Sequence, residues 1–183
     1  MRTNKLVLKY IELANLKGQI LKSVESYSVE QLNFKPSESE WSISQVIEHL
    51  IESETGTNKY ISYRLKNIQE QPSVGLANFL KSKVLNKKLK SDQKFKVPSV
   101  LSEPEVGADY PSVKEKWDKA RLYLIQTVEN YPKEQLNKAV FKHPRAGLLS
   151  MNQTLAFMIN HLNHHIPQID RLRLMLEDQN KKS

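Results

Sequence analysis

Five histidines are the residues of this 183-residue chain whose type and spacing could do chemistry. Three of them stand in the run His161-Leu-Asn-His164-His165, and His49 and His143 lie elsewhere along the chain. Side chains four positions apart on an α-helix share one face, so His161 and His165 form a potential chelating pair. His161 and His164, three positions apart, are the other pair that the run offers.

The apolar stripe of the same segment distinguishes between these pairs. At about 100° per residue, His165 lies about 60° from the centre of the stripe, His161 about 100° and His164 about 160°. His161 and His165 are therefore expected to border the core, whereas His164 should face solvent. His49 lies about 110° from the centre of its own stripe, which is a similar border position.

Three neutral imidazoles from two helices would form a His₃ site with one coordination position open. Imidazole nitrogen suits several late divalent ions, of which zinc and nickel are the candidates here. The chain has no cysteine, which excludes disulfides, thiolate ligands and a thiolate nucleophile. Leu162 follows His161 where a zincin protease has a glutamate, and no phosphate-binding glycine loop or serine nucleophile motif occurs. The alternative interpretation is a histidine pair that merely lines a polar boundary.

Four long amphipathic segments must position these histidines, because apolar residues recur in them every three or four positions. Capping signals mark three of the starts: Ser-x-x-Gln at Ser42 and at Ser150, and Ser-x-x-Glu at Ser112. No segment shows the alternation of a strand, so the sequence predicts an all-α four-helix bundle. The helices are expected at about residues 5–27, 42–68, 112–131 and 150–176.

A long crossover connection, about residues 70–111, separates two similar halves. The segments 25–33 and 129–137 share the pattern Glu-x-Tyr-x-x-Glu-Gln-Leu-Asn, which indicates a duplicated helical hairpin. A connection of this length allows the second and third helices to run parallel. A short amphipathic helix is expected within it, formed by Leu76, Phe79, Leu80, Val84 and Leu85.

The formal net charge of +8 is concentrated in this connection. Residues 81–96 contain seven lysines and one acid, Asp92, which together carry +6. Such a cluster is typical of a solvated face, and few aromatic residues are interleaved with it, so specific nucleic-acid binding is not expected.

Composition limits the remaining classes of protein. At about 150 residues per domain, the chain is expected to form one domain over residues 1–183. No stretch reaches the ~18–20 apolar residues of a membrane span, so no membrane partner is expected. Lys5, Lys9 and Glu12 interrupt the N-terminal apolar residues, so we expect no signal peptide and a cytoplasmic location.

Three segments resemble the DinB/YfiT-like family of metalloenzymes: residues 41–50 with Trp41 and His49-Leu50, residues 143–147, and residues 161–169. The resemblance implies a four-helix bundle of up-down-down-up topology and a divalent metal held by His49, His161 and His165. It also implies small-molecule substrates and a possible homodimer. Members of the family include transferases and isomerases that use low-molecular-weight thiols such as bacillithiol, and others are considered hydrolases by analogy.

Other residues are expected around the ligands. Glu52 and Gln168, each three positions after a candidate ligand, could orient an imidazole as second-layer partners. Trp41 is expected to cover the end of the bundle, and Pro167 to kink the fourth helix.

The sequence thus predicts a metal-dependent enzyme, either a thiol S-transferase or a hydrolase, whose catalytic residues remain unassigned. The alternative is a non-catalytic binding or stress-response interaction module that uses the lysine-rich connection.

Overall fold

The computed structural model describes residues 4–89, 104 and 107–180. Four long helices and a small hairpin contain most of these residues, and a short helix precedes the second long one. The elements are α1 (Lys5–Val24), α2 (Val29–Leu32), α3 (Ile43–Leu65), α4 (Leu76–Leu89), α5 (Tyr110–Glu129), β1 (Ala139–His143), β2 (Gly147–Ser150) and α6 (Met151–Asn180). Single 3₁₀ turns occur at Ile68–Glu70 and Lys133–Gln135.

Reciprocal side-chain caps begin the two helices that carry the candidate ligands. The Ser42 hydroxyl accepts from the Gln45 N–H, and the Gln45 amide oxygen accepts from the Ser42 N–H. Ser150 and Gln153 make the same exchange at the start of α6. These two capping boxes confirm the starts that the sequence predicted, and they satisfy amide groups that the first helical turn leaves without partners.

The start of α5 differs from the prediction. The helix is capped by the carboxylate of Asp109, which accepts from the Ser112 N–H at 2.8 Å. The predicted cap at Ser112 is therefore wrong, because the cap lies three residues earlier, at Asp109. Pro111 lies in the first turn, where its missing N–H removes no helical hydrogen bond.

Side-chain contacts establish the direction of each long helix. In the contacts between α1 and α6, higher residue numbers in one helix meet higher residue numbers in the other, and the same holds for α3 and α5, so each of these pairs is parallel. In the contacts between α1 and α5, higher numbers in α1 meet lower numbers in α5, so these two helices are antiparallel. This is the up-down-down-up order that was predicted. The pairs are Lys9–Asn152 and Tyr27–Arg173, Glu48–Lys116 and Asn58–Ala120, and Tyr10–Arg121 and Lys17–Asp118.

The core fills the space between these four helices. Trp117 of α5 is its largest fully buried side chain. The other long helices supply aliphatic side chains to the same core, including Leu13, Ile20, Ile47, Leu50, Leu155 and Leu162. Removing this apolar surface from water is the main force that holds α3 against α6. In the described residues, no helix combines the length and the apolar character that a membrane crossing requires.

The hairpin of β1 and β2 was not predicted. Its strands pair antiparallel, with Phe141 opposite Leu149 and His143 opposite Gly147. Strands of five and four residues with an irregular register are too short for an alternating pattern to be visible in the sequence. Gly147 has a φ of +73°, and a β-carbon at this position would come within 2.6 Å of the Asn78 side chain. Glycine is therefore required at the end of this turn.

The short helix expected in the connection is present as α4, but its orientation is opposite to that expected. Its inward side is held by hydrogen bonds to α6: Gln153 Nε2 donates to Ser82 Oγ, and His164 Nδ1 donates to the carbonyl of Leu89. The apolar residues that were expected to be buried, Leu85 apart, are exposed: Leu76, Phe79, Leu80 and Val84. Lys90, Asp92, Lys94 and Lys96 of the basic cluster lie outside the described residues.

Candidate metal centre

The three predicted ligands come together between α3 and α6. His49 is buried on α3, and His161 and His165 are half-buried on α6. One nitrogen from each ring can be chosen so that all three lie within 4.8 Å of one another. The Nε2 atoms of His49 and His161 are 3.2 Å apart.

This donor set fits a divalent transition metal. Zinc–nitrogen bonds of about 2.0–2.1 Å at tetrahedral angles place two ligand nitrogens about 3.3–3.4 Å apart. The distance between His49 Nε2 and His161 Nε2 is close to this value, so these two ligands need little rearrangement. Within the described residues, the group contains imidazole nitrogen alone and no carboxylate. Such a set is typical of zinc or nickel rather than magnesium or calcium.

Burial keeps the three imidazoles in the form that binds metal. It lowers the pKa of His49 to about 4. The pKa of His165 also falls to about 4, through burial and the nearby His49 and His164, although the hydrogen bond to Gln168 opposes this fall. The pKa of His161 also falls well below its ordinary value, first through burial and then through its neighbouring histidines. All three rings are therefore neutral at pH 7, and each has one nitrogen lone pair available for an ion.

Gln168 fixes the orientation of His165. Its Oε1 lies 2.9 Å from His165 Nδ1, and because an amide oxygen only accepts, Nδ1 must carry the proton. The lone pair of Nε2 is then available for the metal, an arrangement typical of histidine ligands. The helix is continuous through Pro167, which lies between the two residues.

Aromatic rings cover the group from two sides. The ring of Trp41 lies 5.2 Å from that of His49, centroid to centroid, and Phe157 stacks on His161 at 5.6 Å and 14°. Trp41 was expected to cover the bundle end, and it does so directly over a candidate ligand. The sequence interpretation missed Phe157, although its position four residues before His161 places it on the same helix face.

His143 is separated from His161 by the ring of Phe157, which contacts both histidines. Its ring contacts that of Phe157 at 4.6 Å, and its Nδ1 accepts from the N–H groups of Arg145 and Ala146. Burial, assisted by the charge of Arg145, lowers its pKa to about 4. His143 is the last residue of β1 and closes the turn of the hairpin.

Two other predicted positions lie away from the group. Glu52 is exposed and, in the described part of the chain, makes no hydrogen bond to the three imidazoles. His164 is half-buried rather than solvent-facing, because α4 packs over it and the Leu89 carbonyl accepts its Nδ1 proton. The angular positions around the helix separated His164 from the candidate ligand pair, but they could not show that another helix covers it.

A buried charged network, which sequence reasoning also missed, fixes α3 against α5. Arg121 Nη2 donates to Glu54 Oε1 at 2.7 Å, and Trp117 Nε1 donates to Glu54 Oε2 at 3.0 Å. Burial raises the pKa of the Glu54 carboxyl, and the Arg121 guanidinium and the Trp117 N–H oppose that rise. Trp117 and Arg121 are four positions apart, which is the spacing that could have indicated a shared partner.

Comparison with known proteins gives two findings. The DinB superfamily matches residues 13–169 of this chain. The uncharacterized protein YuaE of Bacillus subtilis (strain 168) is 25 % identical over 154 residues, which cover 84 % of this chain and 90 % of that protein. The matched range contains the three imidazoles, Gln168 and both aromatic neighbours.

Proposed function

The chain belongs to the DinB superfamily, and we propose that it is a metal-dependent enzyme whose divalent ion is bound by His49, His161 and His165. The observation that carries this proposal is the convergence of three neutral imidazoles from two helices on one point. Desolvating three ring nitrogens is costly unless they gain a partner, and a shared metal ion satisfies all three together.

Zinc or nickel is the proposed ion, because the donor set is imidazole alone. Three protein ligands are the usual number for a catalytic rather than a structural zinc site. When bound, such an ion acts as a Lewis acid at the open position, where it lowers the pKa of a water molecule or a thiol.

The surrounding residues have distinct roles in this proposal. Gln168 accepts the Nδ1 proton of His165 and so leaves Nε2 as the nitrogen that would bind the ion. Trp41 and Phe157 exclude water from two ligand rings and thereby strengthen electrostatic interactions inside the site. A small molecule would reach the ion past His161 and His165, the two members of the group that are only half-buried as residues.

Two reaction classes use this arrangement, and the sequence left both open. One is S-transfer from a low-molecular-weight thiol such as bacillithiol, and the other is hydrolysis of a small molecule. The chain has no thiol of its own, so the sulfur nucleophile of the first reaction would come from solution. A cytoplasmic location, expected from the sequence, and a homodimer, implied by the family resemblance, belong to this proposal as well.

Cobalt substitution tests the proposal. The wild-type protein loaded with Co²⁺ should show the visible absorption of a four-coordinate ion, and a small thiol should add a sulfur-to-cobalt charge-transfer band. His161→Ala should show neither signal. His164→Ala is the matched control, since it removes the neighbouring imidazole from outside the group, and it should behave as wild type.

The same samples distinguish the two reactions. Thiol consumption with an alkylating electrophile would identify a transferase, and release of acid from an ester or amide panel without thiol would identify a hydrolase. If thiol leaves the cobalt spectrum unchanged and neither reaction depends on the metal, the proposed enzyme function is wrong.

A further inference from the structure

The apolar side of α4 faces outward. At about 100° per residue, Leu76, Leu80 and Val84 form one row along the helix, and Phe79 lies beside it. Their exposed fractions are 74 % for Leu76, 42 % for Phe79, 54 % for Leu80 and 55 % for Val84. We call these four residues the α4 outer face.

Exposure of this kind needs a physical reason. Single exposed apolar side chains are normal on protein surfaces, but a contiguous group of large ones marks an interaction site. The opposite side of α4 is tied down by the bonds from Gln153 to Ser82 and from His164 to Leu89, so the helix is held in this orientation. Because α4 is bound to α6 in this orientation, the α4 outer face stays exposed and cannot turn towards the core.

The charge of α4 indicates what kind of partner fits. The helix carries Lys81, Lys83, Lys87 and Lys88, and no acidic residue occurs between 76 and 89. The ammonium group of Lys83 lies 4.9 Å from the centre of the Phe79 ring, so cationic and apolar groups share one surface. In a symmetric dimer formed through this face, the four lysines of one copy would lie against the four lysines of the other and repel them. An anionic partner is favoured over a second copy.

A hollow beside the row favours lipid among anionic partners. It measures about 270 Å³ and is lined by Leu80, Lys81, Val84, Leu85, Lys88 and Arg145. Three cationic and three aliphatic side chains together match an anionic headgroup and the first part of an acyl chain. The row is exposed and lies beside the lysines of the same helix, and apolar side chains next to cationic ones suit the interface of an anionic membrane.

We propose that the α4 outer face docks this protein reversibly on anionic lipid membranes. The apolar side chains enter the interface, the lysines meet lipid phosphates, and the hollow receives one headgroup. The sequence predicted no membrane partner because no segment is long enough to cross a bilayer; a surface contact requires no such segment. The inference does not depend on the metal centre.

Vesicle co-sedimentation tests the apolar part of this proposal. Wild-type protein should pellet with vesicles of equal parts phosphatidylcholine and phosphatidylglycerol at low salt, and not with phosphatidylcholine alone. Leu80→Ser combined with Val84→Ser should weaken binding roughly tenfold or more, because two aliphatic side chains no longer leave water. Leu122→Ser is the matched control, since Leu122 is 61 % exposed on a different helix, α5. It should bind as wild type.

The charge of the face is tested in the same assay. Lys83→Glu with Lys87→Glu should abolish pelleting, whereas Lys22→Glu with Lys59→Glu, an equal charge change at exposed positions on α1 and α3, should reduce it only slightly. His161→Ala should bind vesicles as wild type does, which separates this inference from the proposed enzyme function.

Several results would overturn the proposal. One is wild-type protein that stays in the supernatant with anionic vesicles at low salt. Another is equal binding by the α4 variants and their controls. A self-association in analytical ultracentrifugation that Leu80→Ser/Val84→Ser abolishes would assign the face to a second copy instead. Circular dichroism on each variant verifies that helix content is unchanged.

Discussion

The Nε2 atoms of His49 and His161 lie 3.2 Å apart, although 112 positions separate the two residues in the chain. Local structure cannot produce this proximity, because His49 belongs to α3 and His161 to α6. It depends on the antiparallel packing of these helices across a shared apolar core, with each helix begun by its own capping box. Changes that shift either helix by one turn, about 5.4 Å, would separate the two nitrogens.

Tryptophan fluorescence should report metal binding through Trp41. Its ring lies 5.2 Å from that of His49, so a paramagnetic ion bound at His49 should quench its emission. Trp117 instead donates to Glu54 on the α5 side of α3. We expect Ni²⁺ to quench wild-type protein strongly and Trp41→Phe much less. Equal fractional quenching of both proteins in a Ni²⁺ titration would contradict the placement of Trp41.

Gln168 should affect metal affinity without being a ligand. Gln168→Leu removes the acceptor for the Nδ1 proton of His165, so the ring loses its orientation and Nε2 its basicity. Loss of such a partner typically weakens metal binding about 10–100-fold. Competition with a chromophoric chelator measures this change, and Gln168→Glu, which keeps an acceptor oxygen, should restore affinity. Gln126→Leu, at an exposed position of α5, is the control and should have no effect.

Acid should destabilise the metal-free protein through the buried imidazoles. In the native chain, burial lowers the pKa of His49 and His165 from the ordinary 6.5 to about 4, and His161 shifts in the same direction. Between pH 6.5 and about 4 the unfolded chain therefore binds more protons than the native chain, so stability falls as pH falls through this window. Above pH 6.5 these groups contribute no pH dependence.

Urea unfolding of metal-free protein at several pH values measures this dependence. A variant with glutamine at positions 49, 161 and 165 should lose less stability between pH 6.5 and 4 than wild type, because the titrating groups are gone. Parallel curves for the two proteins would show that the three rings are not held neutral by burial.

Removing a charge from the buried network between α3 and α5 should lower the free energy of unfolding more than removing a charge from a surface ion pair. Glu54 and Arg121 are 2 % and 4 % exposed at their side chains. Arg121→Met leaves the Glu54 carboxylate buried without its cation, which typically costs about 3–5 kcal/mol in the free energy of unfolding. Arg171→Met, which breaks the surface pair with Glu40, should cost at most about 1 kcal/mol.

A second substitution distinguishes the cost of leaving one charge buried without a partner from the contribution of the ion pair itself. Glu54→Met added to Arg121→Met removes the uncompensated charge and should recover much of the lost stability. Chemical denaturation measures all three variants. If Arg121→Met is as stable as Arg171→Met, the pair does not carry the role assigned to it in the core.

Much of the arrangement of the three imidazoles was predictable because it follows from helical spacing. The i, i+4 relation of His161 and His165, and the border position of His49, depend only on a regular helix and a recognisable apolar stripe. Phe157 and Gln168 lie within four residues of a candidate ligand on the same helix, and the same rule places them at the group. Capping boxes were equally visible, since Ser42–Gln45 and Ser150–Gln153 act locally.

Features that depend on tertiary partners were less visible. The orientation of α4 is decided by bonds from Gln153 and His164 on α6, and these override the apolar pattern that suggested the opposite face. The pairing of Glu54 with Arg121 joins helices far apart in sequence. The hairpin at Ala139–Ser150 has strands too short to show a period. In each case the deciding interaction lies outside the window in which a sequence pattern can be recognised.

Metal stoichiometry tests the central claim most directly. Purified protein is equilibrated with excess zinc, freed of unbound ion, and weighed by native mass spectrometry, alongside His161→Ala and His164→Ala with folding verified by circular dichroism. The account predicts one zinc ion per chain for wild type and His164→Ala, and none for His161→Ala. Wild-type protein without metal, or His161→Ala that retains the ion as firmly as wild type, would contradict it.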